Sequence, residues 1–303
     1  MMMKGEIKSN IKKLWRHLPY ILNMTEITKP ISLSLHLTNK CNLNCEFCYI
    51  KNIDKTKELD YTKLIKFIQV NQPKSVLLTG GEPCLYPDIN NLIIHLIKRK
   101  IKIGMFTNGL YLKNIMSCLQ YFSWLRVSIN HYIDNKIKFK DPEYPKKLSY
   151  NYIKHKDSPL RLKKKLIKFM DKHRGLYLRV VPDVFGSPYL INMNQMIDNF
   201  MFYPESKTII QKAQSLKHYK GKCYMGYLKP YLNADGLVYP CINTVDPKTK
   251  IRDKTKSIIN IDHPYELLEF KDIIMNCKNC GLWEKNEFIK YINEKKIEDE
   301  DFL

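Results

Sequence analysis

The sequence predicts an α/β fold: a partial (β/α)6, TIM-like barrel followed by a small cysteine-bearing segment. Three observations carry this. Short apolar strands alternate with helical stretches across residues 31–215, and such short connections require parallel strands with the helices outside. The polar motifs all fall just after strands, the face on which such barrels keep their sites. From Gly221 onward that rhythm stops, and Cys223, Cys241, Cys277 and Cys280 follow.

The elements can be justified in order. Residues 9–23 carry apolar side chains at 11, 14, 15 and 18, a helical stripe that Pro19 ends or kinks. This N-terminal helix is expected to cap the barrel. Ile31–Leu37 alternates and reads as the first strand. A helix is expected over Thr62–Val70, a strand over Ser75–Leu78 and a helix over Ile89–Lys100. Ile101–Phe106, Leu125–Ile129 and Leu176–Val181 read as the third to fifth strands, with helices over Leu112–Tyr121 and Leu160–Lys172. A sixth strand is expected near Lys207–Gln211. Residues 131–159, rich in Tyr and Lys and holding three prolines, break the rhythm and read as a substrate-covering insertion or a Lys-rich surface loop. Further on, Asp235-Gly236 between alternating runs is a hairpin signal. A helix is expected near Tyr265–Ile274, and the charged residues after Glu284 are expected to fray.

Composition bounds the function. The formal charge is +21, yet by count along the sequence 44 of the 51 basic residues are Lys and only 7 are Arg. Nucleic-acid sites favour Arg for bidentate contacts, and no aromatic-basic nucleic-acid module is present. The surface therefore reads as Lys-rich and solvated, suited to attracting an acidic electron donor such as a flavodoxin or ferredoxin. No apolar run approaches the roughly 18 residues of a membrane helix. Lys12, Lys13, Arg16 and His17 break up any signal-peptide core. A cytoplasmic protein is expected, in which nine cysteines point to metal ligation rather than a disulfide scaffold.

Cys41, Cys45 and Cys48 stand in the spacing C-x3-C-x2-C on the loop after the first strand. Three thiols so close cannot all pair as disulfides. They suit three irons of a cubane cluster, leaving the fourth open to an exchangeable ligand. With Phe47 before the third Cys, and Gly80-Gly81-Glu82-Pro83 at the end of the second strand, the pattern resembles the radical S-adenosylmethionine (SAM) superfamily. The resemblance implies a SAM-binding 4Fe–4S cluster on Cys41, Cys45 and Cys48, with SAM chelated at the open iron and Phe47 near its adenine. It implies that Gly80 and Gly81 let the backbone approach the methionine ammonium and that Glu82 adds an acceptor there. Asn108, Ser128, Asn130 and Arg179 complete the cofactor-binding candidates. Ser128 and Asn130 are placed for ribose or carboxylate. Arg179 is placed for carboxylate, or outward as part of the strand alternation.

The cysteines after Gly221 admit a structural zinc ribbon or an auxiliary iron-sulfur cluster, and spacing alone does not separate them. The phrase Asp235-Gly236-Leu237-Val238-Tyr239-Pro240-Cys241 resembles the C-terminal SPASM extension of radical SAM enzymes. With four cysteines in place of that extension's seven, it resembles the one-cluster form, the twitch domain. The resemblance then implies an auxiliary 4Fe–4S cluster on Cys223, Cys241, Cys277 and Cys280. In sulfatase-maturing SPASM enzymes an acid follows the Cys of the Tyr-Pro-Cys phrase; here Ile242 stands there, followed by Asn243, so that proton acceptor is missing. Cys84, beside Pro83, reads as a small packed residue or a thiol relay. Cys118 reads as core, and His36 as a packed strand residue.

The expected organisation is an N-terminal helical extension (1–30), the radical SAM barrel (31–215), the auxiliary-cluster segment (221–285) and a charged tail (286–303). The expected function is cleavage of SAM to a 5′-deoxyadenosyl radical acting on a peptide or protein side chain. The alternatives are a small molecule, such as a sugar or antibiotic intermediate, and RNA modification.

Overall fold

The computed structural model describes residues 18–22, 29–51, 53–135, 137–145, 147–159, 161–183, 208–210, 216–245, 252–263 and 273–295. The strands β1 (Ser32–His36), β2 (Ser75–Thr79), β3 (Lys102–Thr107), β4 (Trp124–Ser128), β5 (Leu148–Lys154), β6 (Leu178–Pro182) and β7 (Thr208–Ile210) pair in that order, all parallel. Helices α1 (Leu18–Leu22), α2 (Tyr61–Asn71), α3 (Ile89–Lys98), α4 (Asn130–Asp134) and α5 (Leu162–Lys172) accompany them. Together they form a parallel, open partial barrel.

Local chemistry explains the alternation. Strands covered on both faces must be apolar nearly throughout, and Leu33, Leu35, Val76 and Leu78 are accordingly buried. The Asp60 side chain caps α2 by accepting from the Lys63 amide at 2.8 Å. Helix α3 buries Ile89, Leu92, Ile93 and Leu96, one stripe at helical spacing.

After β7 come β8 (Lys217–Lys222), α6 (Tyr224–Leu228), β9 (Tyr231–Leu232), β10 (Leu237–Tyr239), β11 (Ile259–Asn260), β12 (Ile274–Cys280) and α7 (Trp283–Lys295). The β9–β10 hairpin turns at Gly236, which takes φ +82°, a conformation glycine adopts without strain. Strand β9 runs parallel to β1, with Ser34 opposite Tyr231, and extends the barrel sheet to ten strands. Strands β8 and β12 form a separate antiparallel pair. Beside them Ile21, Tyr224, Tyr227, Ile273 and Ile289 pack as a second core.

Four expectations change. Residues 131–159 are not a covering insertion: they hold most of α4 and all of β5, which fills the sheet between β4 and β6. Tyr150 and Tyr152 of β5 are fully buried, with the Tyr150 hydroxyl donating to Asp141 and that of Tyr152 to Asp134. The strands expected fifth and sixth are therefore the sixth and seventh. Leu112–Tyr121 is a 3-10 stretch kinked at Ile115 rather than an α-helix. Of the helix expected near 265–274, residues 265–272 lie outside the described residues, and Ile274 opens a strand. The supposed tail continues as α7 to Lys295, because Ile289 is buried in the second core. Residues 9–17 of the N-terminal helix and 296–303 also lie outside the described residues.

Candidate functional site

The cysteine loop leaves β1 and is held by backbone on both sides. Asn39 donates its amide to Lys57 O at 2.8 Å, Gly81 to Thr38 O at 2.7 Å and Glu82 to Lys40 O at 2.8 Å. The Asn39 side chain donates to Asp54 O at 2.7 Å. The turn after β2 is thus zipped onto the three residues before Cys41. A Cβ on Gly81 would lie 2.1 Å from Lys40 O, so only glycine allows this approach.

Cys41, Cys45 and Cys48 line one wall of a cavity of about 1110 Å³ at the C-terminal ends of the strands. Burial, then the neighbouring Cys48 and Cys41 thiolates, push the Cys45 thiol up to about 11. Burial also raises Cys41. Three thiolates here repel one another, so the donor set fits a cationic centre that neutralises them.

Cys241, Cys277 and Cys280 line the same cavity. Cys223 stands behind them at the start of α6, and its thiolate, with those of Cys280 and Cys277, raises Cys241; burial is the larger cause, and Cys241 is pushed up to about 12. Cys277 and Cys280 are three apart on a strand, where a regular pleat would send them to opposite faces. The register of β12 against β8 shifts between them. That irregularity moves the second thiol to the side of the first. Among the described residues no group of three or more His, Cys, Asp or Glu side chains closes to the spacing of a single bound ion.

The remaining sequence candidates divide into those that face the cavity and those that brace it. Phe47, Gly80, Gly81, Asn108, Ser128, Asn130 and Arg179 all line it. Phe47 also packs its ring on His155, centroids 5.1 Å apart. Asn130 uses its amide to tie β4 to β5, donating to Ile153 O at 2.7 Å and accepting from Ile153 N at 2.8 Å. Asn108 donates its side-chain amide to Asn42 at 2.8 Å and so joins the end of β3 to the cysteine loop. Glu82 does not line the cavity. It is fully buried and accepts from the Thr107 hydroxyl at 2.7 Å, Asn108 N at 2.8 Å and Cys84 N at 3.2 Å. Its carboxylate braces the ends of β2 and β3, and burial holds it above the usual carboxylate range.

Cys84 and Cys118 are buried in the main core. His36 is fully buried, paired with the Tyr231 hydroxyl at 2.7 Å, which in turn meets the Tyr49 hydroxyl at 3.1 Å. Burial, then the Arg252 guanidinium, lower His36 to about 3, so it is neutral. Arg252 stacks over the Tyr231 ring at 4.4 Å and donates to Thr244 Oγ1 at 2.7 Å, the residue whose hydroxyl donates to Cys241 O at 3.3 Å. A buried polar chain therefore runs from beside Cys48 to beside Cys241.

Sequence reasoning missed Arg126, Asn151 and Arg252, which also line the cavity. The available signal was scarcity: three of only seven arginines, Arg126, Arg179 and Arg252, stand on this one wall.

A parallel partial barrel with a C-x3-C-x2-C loop at its mouth defines a class of protein, and the comparisons supply its family. Residues 35–146 match the family described as the Radical SAM superfamily. Over residues 35–146 the chain therefore carries a radical SAM domain. It is 22% identical to a GTP 3′,8-cyclase of Aliarcobacter butzleri, over 84% of this chain and 92% of that one. It is 23% identical to the sporulation killing factor maturation protein SkfB of Bacillus subtilis, over 85% of this chain and 71% of that one. Two Methanocaldococcus jannaschii relatives, 28% and 29% identical, are matched over about half of their own length (52% and 53%). In fold the chain is similar to Streptococcus suis SuiB, with TM-score 0.52 and 18% identity over 88% of this chain and 72% of that one. Among the described residues no helix is long and apolar enough to cross a membrane.

Proposed function

We propose that Cys41, Cys45 and Cys48 hold the SAM-binding 4Fe–4S cluster and that Cys223, Cys241, Cys277 and Cys280 hold an auxiliary 4Fe–4S cluster of the twitch type. The observation that carries this reading is that Cys41, Cys45 and Cys48 and three of the second set, Cys241, Cys277 and Cys280, line one cavity. When bound and reduced, the first cluster supplies the one-electron cleavage of SAM to methionine and a 5′-deoxyadenosyl radical, which takes a hydrogen atom from the substrate. The chain's own part is to position and to exclude water. Gly80 and Gly81 bring backbone to the rim, Phe47 offers an aromatic face, and Glu82 keeps the β2 and β3 ends at a fixed spacing from the loop. Ser128, Asn130, Asn108 and Arg179 offer polar contacts to SAM or substrate.

The substrate on this reading is a peptide or protein side chain. A relative named as a maturation protein supports it. The small-molecule alternative is supported by the relative named as a GTP 3′,8-cyclase. Boundaries of 31–215 for the barrel and 221–285 for the auxiliary segment follow the change of rhythm at Gly221. The Lys-rich surface suits an acidic flavodoxin or ferredoxin as electron donor.

The test is anaerobic reconstitution of the wild type and of the Cys41→Ala/Cys45→Ala/Cys48→Ala variant, counting iron, sulfide and zinc. Dithionite and SAM are then added, and 5′-deoxyadenosine is measured. The expected result is about eight irons in the wild type and about four in the variant, with product from the wild type alone. About four irons and one zinc would overturn the auxiliary cluster. No iron would overturn the whole reading.

A further inference from the structure

Inside the barrel, one layer below the strand ends, the wall turns cationic. Arg126 of β4 stands opposite Ser149 of β5, and Arg179 of β6 stands opposite Asn151 of the same strand. Both arginines line the cavity. A guanidinium carries five N–H donors. Arg126 commits one to Ser149 Oγ at 3.3 Å and one to the Tyr177 hydroxyl at 2.5 Å, and its plane lies within 5.2 Å of the Phe106 ring centroid. These contacts fix the group and leave three donors. Arg179 forms no hydrogen bond or ion pair among the described residues.

Among the described residues no carboxylate is recorded against either guanidinium. The charges that act on Arg179 are Arg126 and the Tyr177 phenol; burial, then Arg126, lower it to about 10. The cavity's own acids, Asp183 and Asp253, are not among those charges. Lys229 adds a third cation: burial, then Arg126 and Lys285, lower it to about 8. Tyr177 answers in the opposite direction. Burial, the largest single cause, would raise its hydroxyl, but the Arg126 charge, the hydrogen bonds to Ser149 and Arg126 and the Arg179 charge together lower it. A chain that otherwise uses Lys has thus placed two of its seven arginines on one cavity, from the two strands that flank β5, with Arg179 partly desolvated and no acid acting on it among the described residues. Holding two like charges together costs stability unless an anion joins them. Arginine is also the residue whose planar fork matches an oxyanion.

We infer that Arg126 and Arg179 together form a binding site for an oxyanion of the substrate, a phosphate or a carboxylate, held within the barrel beside the two thiol sets. This rests on the radical SAM reading for the word substrate, while the anion site stands on the arginines alone. The site narrows the candidates to phosphorylated molecules and to molecules or peptides presenting a carboxylate.

The experiment titrates the reconstituted full-length chain with inorganic phosphate, with acetate and, separately, with SAM, for the wild type, Arg126→Gln, Arg179→Gln and Arg179→Lys. The expected result is that each Gln variant binds the preferred anion about tenfold more weakly or worse, while SAM affinity changes less than about twofold. Arg179→Lys is expected to fall between. Preference for phosphate would assign a phosphorylated substrate, and preference for acetate a carboxylate. Anion affinity unchanged in both Gln variants would overturn the inference, as would a tenfold loss of SAM affinity with anion binding intact. Should the Gln variants fail to fold, the wild type decides. Phosphate or acetate must protect Arg126 and Arg179 from an arginine-selective dicarbonyl, read by peptide mass, and equal labelling with and without anion would overturn it. In the wild type, failure to bind SAM while the anion binds would instead strike the radical SAM reading and leave this site standing.

Discussion

Substituting Gly81 by Ala tests how the cysteine loop is held. The added Cβ would lie 2.1 Å from Lys40 O, 2.7 Å from Lys40 C and 2.8 Å from Asn39 O. All three are backbone atoms, so no side chain can swing aside. Relief requires the loop to move by more than an ångström, which lengthens the Gly81–Thr38 and Glu82–Lys40 bonds from 2.7 and 2.8 Å. Overpacking costs about 1–3 kcal/mol, and each weakened backbone bond about 1 kcal/mol. Gly81→Ala is therefore expected to destabilise the iron-free chain by about 3–5 kcal/mol, read from the urea midpoint at constant slope. Lys40 precedes Cys41 directly, so the displaced residue is the neighbour of a proposed iron ligand. Iron at the Cys41 set should fall while iron at the Cys241 set remains. An unchanged midpoint with full iron loading would refute the view that this contact sets the loop.

The buried polar chain gives two further predictions. His36 is lowered to about 3 in the fold and returns to about 6.5 when unfolded, so between those values the unfolded chain binds the extra proton. Stability of the iron-free protein should therefore fall as pH drops from about 6.5 toward 3, by on the order of 1 kcal/mol per pH unit from this group. In His36→Gln that part of the slope should vanish, and an identical slope in both proteins would contradict the assignment. Tyr231→Phe removes one hydroxyl from both His36 and Tyr49. It should cost about 1–3 kcal/mol, and a urea-derived change below about 0.5 kcal/mol would show that the hydroxyl carries no such role.

The barrel was legible because its rule is local. Each βα unit writes an apolar strand, a polar exit and an amphipathic helix, and Ser32–His36, Ser75–Thr79 and Ile89–Lys98 stand where that grammar puts them. Strand β5 was lost to composition. Leu148-Ser149-Tyr150-Asn151-Tyr152 does alternate, but tyrosines among prolines and lysines suggested a surface. The fold resolves this by burying the rings and giving the hydroxyls to Asp141 and Asp134. The cysteines were legible from spacing. Glu82 was legible as a motif but not in its orientation, because two of its three partners, Thr107 and Asn108, lie at the end of β3, far along the chain, and only Cys84 is in its own turn. Arg126 and Arg252 could not be found by spacing at all, since only the closing of the sheet brings them to the wall that Arg179 shares.

The joining of β9 to β1 has a mechanical consequence. Ser34 donates its amide to Pro230 O at 3.0 Å, and Ser34 and Leu35 pair with Tyr231 and Leu232. The C-terminal hairpin is therefore a continuation of the barrel wall and not a hinged cover. Removing everything after β8 would strip the edge from β1 and leave a bare, apolar, hydrogen-bond-hungry strand, the kind that recruits another chain. The shortened protein should precipitate rather than persist as a smaller barrel. Engineering that exchanges substrate-facing loops can treat residues 231–239 as fixed masonry and look for movement elsewhere.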